Sequence, residues 1–253
     1  MSAATLARLV LIEARRGGLP WLAAASVAAG AGLAAFLSQV ALTESVSLQA
    51  AIVAAVLRAC AVFLVAAHVA ASTVREINDK GLELLLALPL SRTSQYLGRL
   101  AGHCATGAML AAAFALPLLL WASPAAVGLW GLSLACEAAL VAAITLFFAM
   151  TLTQLVPALA ATAGLYLLGR SIAAIQLIAS GPLAEPSVAR EVARWCLDAV
   201  ALLLPQLDAA TRTEWLLYGA PQGGAYAAAL GGLGLYGALV VAAGLFDFHR
   251  RNL

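Results

Sequence analysis

Six long apolar stretches separated by polar breaks dominate the chain. They run from Leu19 to Leu42, Leu48 to Ser72, Leu97 to Ala122, Val127 to Met150, Leu155 to Ser180 and Gly223 to Phe246. About 20 mostly apolar residues carry a helix across a hydrocarbon core of about 30 Å, so each stretch predicts a transmembrane helix. The breaks differ in kind. Thr43 to Ser47, and TLTQLVP after Met150, are short enough for tight antiparallel hairpins. Ahead of the first stretch, SAATLARLVLIEARRGG mixes Leu6, Leu9, Val10 and Ile12 with Arg8, Glu13, Arg15 and Arg16, and Gly17 and Gly18 close it. That pattern predicts an amphipathic helix lying along the membrane interface. Between the fifth and sixth stretches, Val188, Val192, Trp195, Ala199 and Leu203 recur at helical spacing, with Arg190, Glu191, Arg194 and Asp198 on the other side. This predicts a helix on, or dipping into, the outer leaflet. Pro205 ends it, and Trp215 and Tyr218 supply interfacial rings.

Composition rules out a soluble domain. Of 253 residues, 64% are hydrophobic and 10% charged, with a mean hydropathy of +0.97, where soluble domains carry about 25% charged residues. The fold expected is an all-α integral membrane protein, a single transmembrane domain over 1–253. Its six spans are joined by an interfacial helix within 1–18, a cytoplasmic loop at 73–96 and an outer helical insertion at 181–222. The first apolar run is too long for a signal peptide and lacks a clear cleavage site, so it reads as a retained span.

The net charge of +2 gives no sign of a nucleic-acid partner, because the basic residues are scattered over loops that flank the spans. Their sidedness is informative. With both termini in the cytoplasm, the inner segments carry Arg8, Arg15, Arg16, Arg75, Lys80, Arg92, Arg99, Arg250 and Arg251, and the outer ones carry only Arg190, Arg194 and Arg212. The excess satisfies the positive-inside rule and predicts a multi-pass protein of the cytoplasmic (inner) membrane. Glu44, Glu185, Glu191, Asp198, Asp208 and Glu214 fall outside. The cysteines Cys60, Cys104, Cys136 and Cys196 show no paired spacing, so no disulfide framework is expected. Gly231, Gly232, Gly234 and Gly237 give the last span a flank on which another helix could pack closely.

Three ionisable residues interrupt the apolar runs. Arg58, Glu137 and Arg170 lie in the second, fourth and fifth, at a common depth counted from the outer ends. A charge at the centre of a membrane helix costs about 2.5–3.5 kcal/mol on insertion scales, so each needs a partner. An Arg58–Glu137 ion pair would tie two spans together, with Arg170 joining it or facing a polar passage. A satisfied structural pair outweighs contact with cargo. His68 and His103, with Cys104 beside the second, fall near the inner ends of adjacent spans, but no HxxxH or CxxC spacing accompanies them, and no metal is expected. His249 belongs to the basic inner flank.

The densest run of charge is VREINDKGLELLLALPLSRTSQYLGRL, from Val74 to Leu100. Arg75 to Lys80 is polar enough to leave the bilayer. Gly81 breaks the helix, a leucine-rich piece follows from Leu82 to Leu88, and Pro89 stops it. Ser91 or Thr93 can cap the helix that returns to the bilayer after Arg99. Leu82, Leu85 and Leu86 share a face too short to be stable alone in water, so they need a partner: the membrane, the bundle or another protein.

In the order of its parts (acidic stretch, Gly, Leu-Glu helix, LALP, Ser-Arg, LGR) this segment resembles the first cytoplasmic loop of type-2 ABC exporter permeases. The match covers about thirty residues, and the layout of the rest agrees with it. The resemblance implies that Gly81, Leu82, Glu83, Leu84, Leu85, Leu86, Ala87 and Leu88 form a coupling helix that docks on a separate ATPase subunit. The commoner Gly-Thr-Leu-Glu opening is Gly81-Leu82-Glu83 here, without the Thr. It further implies two ATPase copies, which bind the ATP and Mg, and a second permease copy, expected as a homodimer. Cargo would pass between the two permeases. The sole lysine, Lys80, is followed by Gly81, so the chain has no phosphate-cradling Gly-x-x-x-x-Gly-Lys-[Ser/Thr] loop and is expected to bind no cofactor itself. No Gly-x-Ser-x-Gly or His-Glu-x-x-His is present, so no catalytic residue is assigned and an intramembrane enzyme is the weaker reading. A membrane subunit that transmits mechanical work without exporting cargo fits the same sequence.

Overall fold

The computed structural model describes residues 2–40, 45–79, 91–179, 188–219 and 224–250. Among these there are helices and no strands. The elements are α1 (Ala3–Arg16), α2 (Leu19–Val40), α3 (Ser45–Asn78), α4 (Arg92–Ala115) followed by a 3-10 turn (Leu116–Leu120), α5 (Pro124–Leu152), α6 (Leu155–Ala179), α7 (Val188–Leu203), α8 (Leu207–Ala210), α9 (Glu214–Tyr218) and α10 (Ala225–Arg250). Six of them, α2 to α6 and α10, are long and apolar enough to cross a membrane.

Helix α5 is the axis of the bundle. It contacts α3, α4, α6, α9 and α10, and its apolar residues are spread around its whole circumference, as a helix enclosed by others allows. Leu134, Ala138, Ala142, Leu146 and Ala149 are fully buried. By contrast α2 and α10 are peripheral and largely exposed. Trp21, Phe36, Leu235 and Phe246 point outward, which in a hydrocarbon solvent carries no penalty.

The spans outrun their apolar stretches at one end of the bundle, here called basal. α3 continues through Arg75 and Glu76 to Asn78, and α4 starts at Arg92, well before Leu97. Backbone hydrogen bonding does not stop where hydropathy falls, and side-chain contacts hold the polar extensions. Arg99 in α4 pairs with Glu76 in α3 at 2.6 Å. Arg92 donates to the carbonyls of Phe248 and His249 at the close of α10, at 3.4 and 3.3 Å, where a cation complements the helix dipole. Ser91 is the cap of α4, its Oγ accepting from Ser94 N–H at 3.2 Å. At the same end α5 turns into α6 through Thr153, whose positive φ of 55° is unusual for a β-branched residue and reverses the chain within two residues.

α1 packs along α4 at this end. Leu6, Val10 and Ala14, one turn apart, are buried against the surface opened by Gly98 and Gly102. A Cβ at Gly98 would lie 2.8 Å from the Ala3 carbonyl oxygen, and one at Gly102 would lie 2.7 Å from Val10 Cβ. The Gly-x-x-x-Gly spacing lets the two backbones approach this closely. Leu9 and Ile12 remain exposed, so α1 presents apolar residues both to α4 and to its surroundings.

The glycine-rich flank of the last span meets little of this chain. Gly231, Gly232 and Gly234 have nothing within reach of an added Cβ, and Gly237 has only Leu140 at 3.7 Å. The close approach in α10 is instead at Gly244, which lies against the Tyr96 ring. The reason is geometric: α10 is attached to the bundle along one side, and Gly231, Gly232 and Gly234 face away from it.

Gly102→Leu is expected to cost about 1–3 kcal/mol through overpacking and to free α1, seen as faster tryptic cleavage at Arg8, Arg15 and Arg16 in membranes. Gly231→Leu should leave the cleavage rate unchanged.

Candidate functional site

Arg58, Glu137 and Arg170 meet in the interior of the bundle. Glu137, near the middle of α5, has 0% exposure. Its Oε2 takes Arg58 Nη1 from α3 at 2.6 Å. Its Oε1 lies 3.5 Å from Arg170 Nη1 of α6 and accepts the Tyr166 hydroxyl, also of α6, at 2.8 Å. Arg58 sits over the Trp130 ring, 5.0 Å from its centre, and donates through Nη2 to Ser133 Oγ at 3.0 Å. Ser133 passes its own proton to the Trp130 carbonyl at 2.8 Å. Two turns of α5, Trp130 to Glu137, therefore supply an aromatic face, a hydroxyl and a carboxylate to one guanidinium.

Arg170 extends the junction to the insertion between α6 and α10. It donates to Thr211 Oγ1, which in turn donates to the Leu207 carbonyl at 2.7 Å. Gly169 lets this segment come close, since a Cβ there would stand 2.9 Å from the Pro205 carbonyl oxygen. Leu204, Leu207, Ala210 and Thr211 are buried. The part of the insertion after Pro205 thus folds back against α6 and reaches the level of Glu137. Higher on α6, Gln176 donates to Asp198 of α7 at 2.8 Å. The stripe expected to be apolar on α7 is outward: Val192, Trp195 and Leu203 are exposed, while Ala201 and Leu204 pack inward.

Two guanidiniums share one carboxylate, so the junction carries one excess positive charge. Arg58 is 3% exposed, whereas the Arg170 side chain is 35% exposed. The unbalanced cation is the one that meets the surroundings.

A second polar group lies at the basal end, between α1, α3 and α4. It lines a cavity of about 340 Å³ that includes Glu13, Arg75, Glu76, Asp79, Arg99 and His103. Ser72 donates to Glu13 at 2.7 Å. His68 and His103 stand edge to face, 5.6 Å between centres. Cys104 is half-buried beside them. Among the described residues no group of three or more His, Cys, Asp or Glu is placed to hold a metal ion.

The docking residues inferred from the resemblance, Gly81 to Leu88, lie outside the described residues, as do Lys80 and Pro89. Their flanks, Asn78 at the close of α3 and Ser91 at the start of α4, stand at the basal end. Sequence reading singled out the three charged residues because charge is rare in apolar runs. It missed Tyr166 and Ser133, which are ordinary residue types in a membrane helix, and it missed Thr211 and Gly169, whose roles follow from the path of the insertion. No protein-family model matches the chain, and a search of curated proteins finds no match.

Glu137→Gln leaves the buried Arg58 and the part-exposed Arg170 without an anion and is expected to destabilise the protein by about 3–5 kcal/mol. Adding Arg58→Gln should make the loss clearly smaller than the sum of the two single changes, measured by unfolding in detergent. Arg170→Gln should raise hydrogen exchange in 204–216 while exchange in α3 and α5 stays at the wild-type level.

Proposed function

We propose that the chain is the membrane-spanning permease subunit of an ATP-binding cassette exporter of the type-2 class, driven by ATP hydrolysed on a separate ATPase subunit. The observation that carries this reading is the order of residues from Val74 to Leu100. Six apolar helices and the lack of a phosphate-binding loop fit a chain that spans the membrane and draws its energy from another polypeptide. In this reading the basal end is cytoplasmic, α1 is the interfacial helix, residues 80–90 hold the coupling helix and the insertion of α7 to α9 lies outside.

The mechanics follow from rigidity. α3 is one continuous helix from Ser45 to Asn78. Arg58 therefore stands about 30 Å from the basal close of α3, at 1.5 Å per residue. A push on the loop is delivered to α3 and α4 together, because Arg99 and Glu76 clamp their basal ends. Through Arg58 it meets α5, and through Glu137 and Arg170 it meets the insertion. ATP binding moves these parts only if the ATPase grips the loop differently in its nucleotide states, since equal binding shifts no equilibrium. Arg170, the exposed excess cation, lies on the route and fits a face turned toward a polar passage or an anionic group rather than toward acyl chains.

The cargo class is open on this reading, but the docking residue is testable. In vesicles reconstituted with the copurified ATPase, Leu85→Asp is expected to abolish the permease's effect on ATP hydrolysis while membrane insertion is unchanged. Wild-type coupling in that variant would remove the docking assignment.

A further inference from the structure

A groove of about 560 Å³ lies between α1, α2 and α4. Its walls are almost wholly apolar. Leu19, Ala23, Val27 and Ala31 form one side and Met109 and Phe114 the other. Along α2 it extends from Leu19 to Ala31, which at 1.5 Å per residue is about 18 Å. One leaflet of a hydrocarbon core of about 30 Å is about 15 Å deep. The groove thus begins at the basal edge of the membrane and ends near its middle.

Its basal mouth is different in character. Arg15, in the last turn of α1, lines it, and Arg16 follows; both are exposed. The exposed ring of Trp21 stands at the same end, at the depth where indoles settle at an interface. An apolar slot one leaflet long, opening onto Arg15 with the exposed Arg16 next to it in the chain, complements a phospholipid whose headgroup is an anion. A zwitterionic lipid would fill the slot but bring no net negative charge to balance the arginines, its phosphate being already paired with its own cation.

We propose that this groove is a resident site for one anionic phospholipid of the basal leaflet, its acyl chain between α2 and α4 and its phosphate against Arg15 and Arg16. Occupancy completes the packing of α2, whose main protein partner is α3, and fixes the angle between α1 and α2. The site rests on the membrane reading of the six helices and is independent of the ATPase assignment, so either can fail without the other.

The test uses the purified full-length chain, delipidated and then exposed to mixed micelles of phosphatidylglycerol or phosphatidylcholine, with bound lipid counted by native mass spectrometry. The wild type is expected to retain one phosphatidylglycerol per chain in preference to phosphatidylcholine. Arg15→Gln should lower that preference about five-fold, the effect of one basic residue near a membrane surface. Ala24→Leu with Ala28→Leu fills the slot from positions that are exposed and line it, so the core is untouched. This pair should remove the retained lipid whatever its headgroup, and an unchanged unfolding midpoint shows that the chain is still folded. Equal retention of the two lipids by the wild type would overturn the proposal. So would a phosphatidylglycerol that survives groove filling, or an Ala28→Cys disulfide between two copies in native membranes, which would show a second chain in the groove.

Discussion

A carboxylate with no solvent contact, set in the middle of the most enclosed helix, constrains everything around it. Glu137 cannot be left alone inside a bilayer, and the bundle answers with Arg58 from α3, and with Tyr166 and Arg170 from α6. The partners come from two helices packed on α5, so α3, α5 and α6 cannot slide or rotate past one another without separating charges in a medium that does not stabilise them. Nonpolar packing between membrane helices lacks such directionality, because lipid tails are as apolar as leucine. The charge junction therefore sets the register, and the apolar surfaces follow it.

The two ends of the bundle are built on different principles. At the far end, a segment of irregular chain after Pro205 is admitted against α6 because Gly169 leaves room and Thr211 gives Arg170 an acceptor. Irregular backbone at this level is tolerable when it is covered by protein and its polar groups are bonded. At the basal end, contacts are between regular helices, through the glycine seam of α1 on α4 and the ion pair of α3 with α4. In sequence, residues 80–90 connect the two clamped helices. A displacement there has a stiff path to Glu137, and signalling along it requires a second arrangement of the same contacts.

The sequence made the six spans legible because length and hydropathy need no tertiary knowledge, and the helix ends differ from expectation where polar residues are held by partners distant in sequence. Arg99 is an example: its pairing with Glu76 depends on the antiparallel placement of α3 and α4. Arg58 and Glu137 were conspicuous as charges in apolar runs. Ser133 and Tyr166 were not, since a hydroxyl in a membrane helix more often bonds its own backbone, as Thr145 and Thr162 do here. Glycines illustrate what only the fold decides. Gly231, Gly232 and Gly234 of α10 face outward, open to a further helix, whereas Gly98 and Gly102, beside Arg99 and His103, let α1 and α4 approach closely at the basal end.

Lys80 offers a direct test of the ATP-driven reading, because it is the sole lysine of the chain and lies at the edge of the proposed docking segment. An amine-reactive cross-linker applied to the complex isolated from native membranes can mark only this position and the amino terminus. The expected result is a cross-link from Lys80 to a chain bearing an ATP-binding cassette. Efficient labelling of Lys80 from the opposite side of the membrane, or cross-links only to proteins without such a cassette, would contradict it.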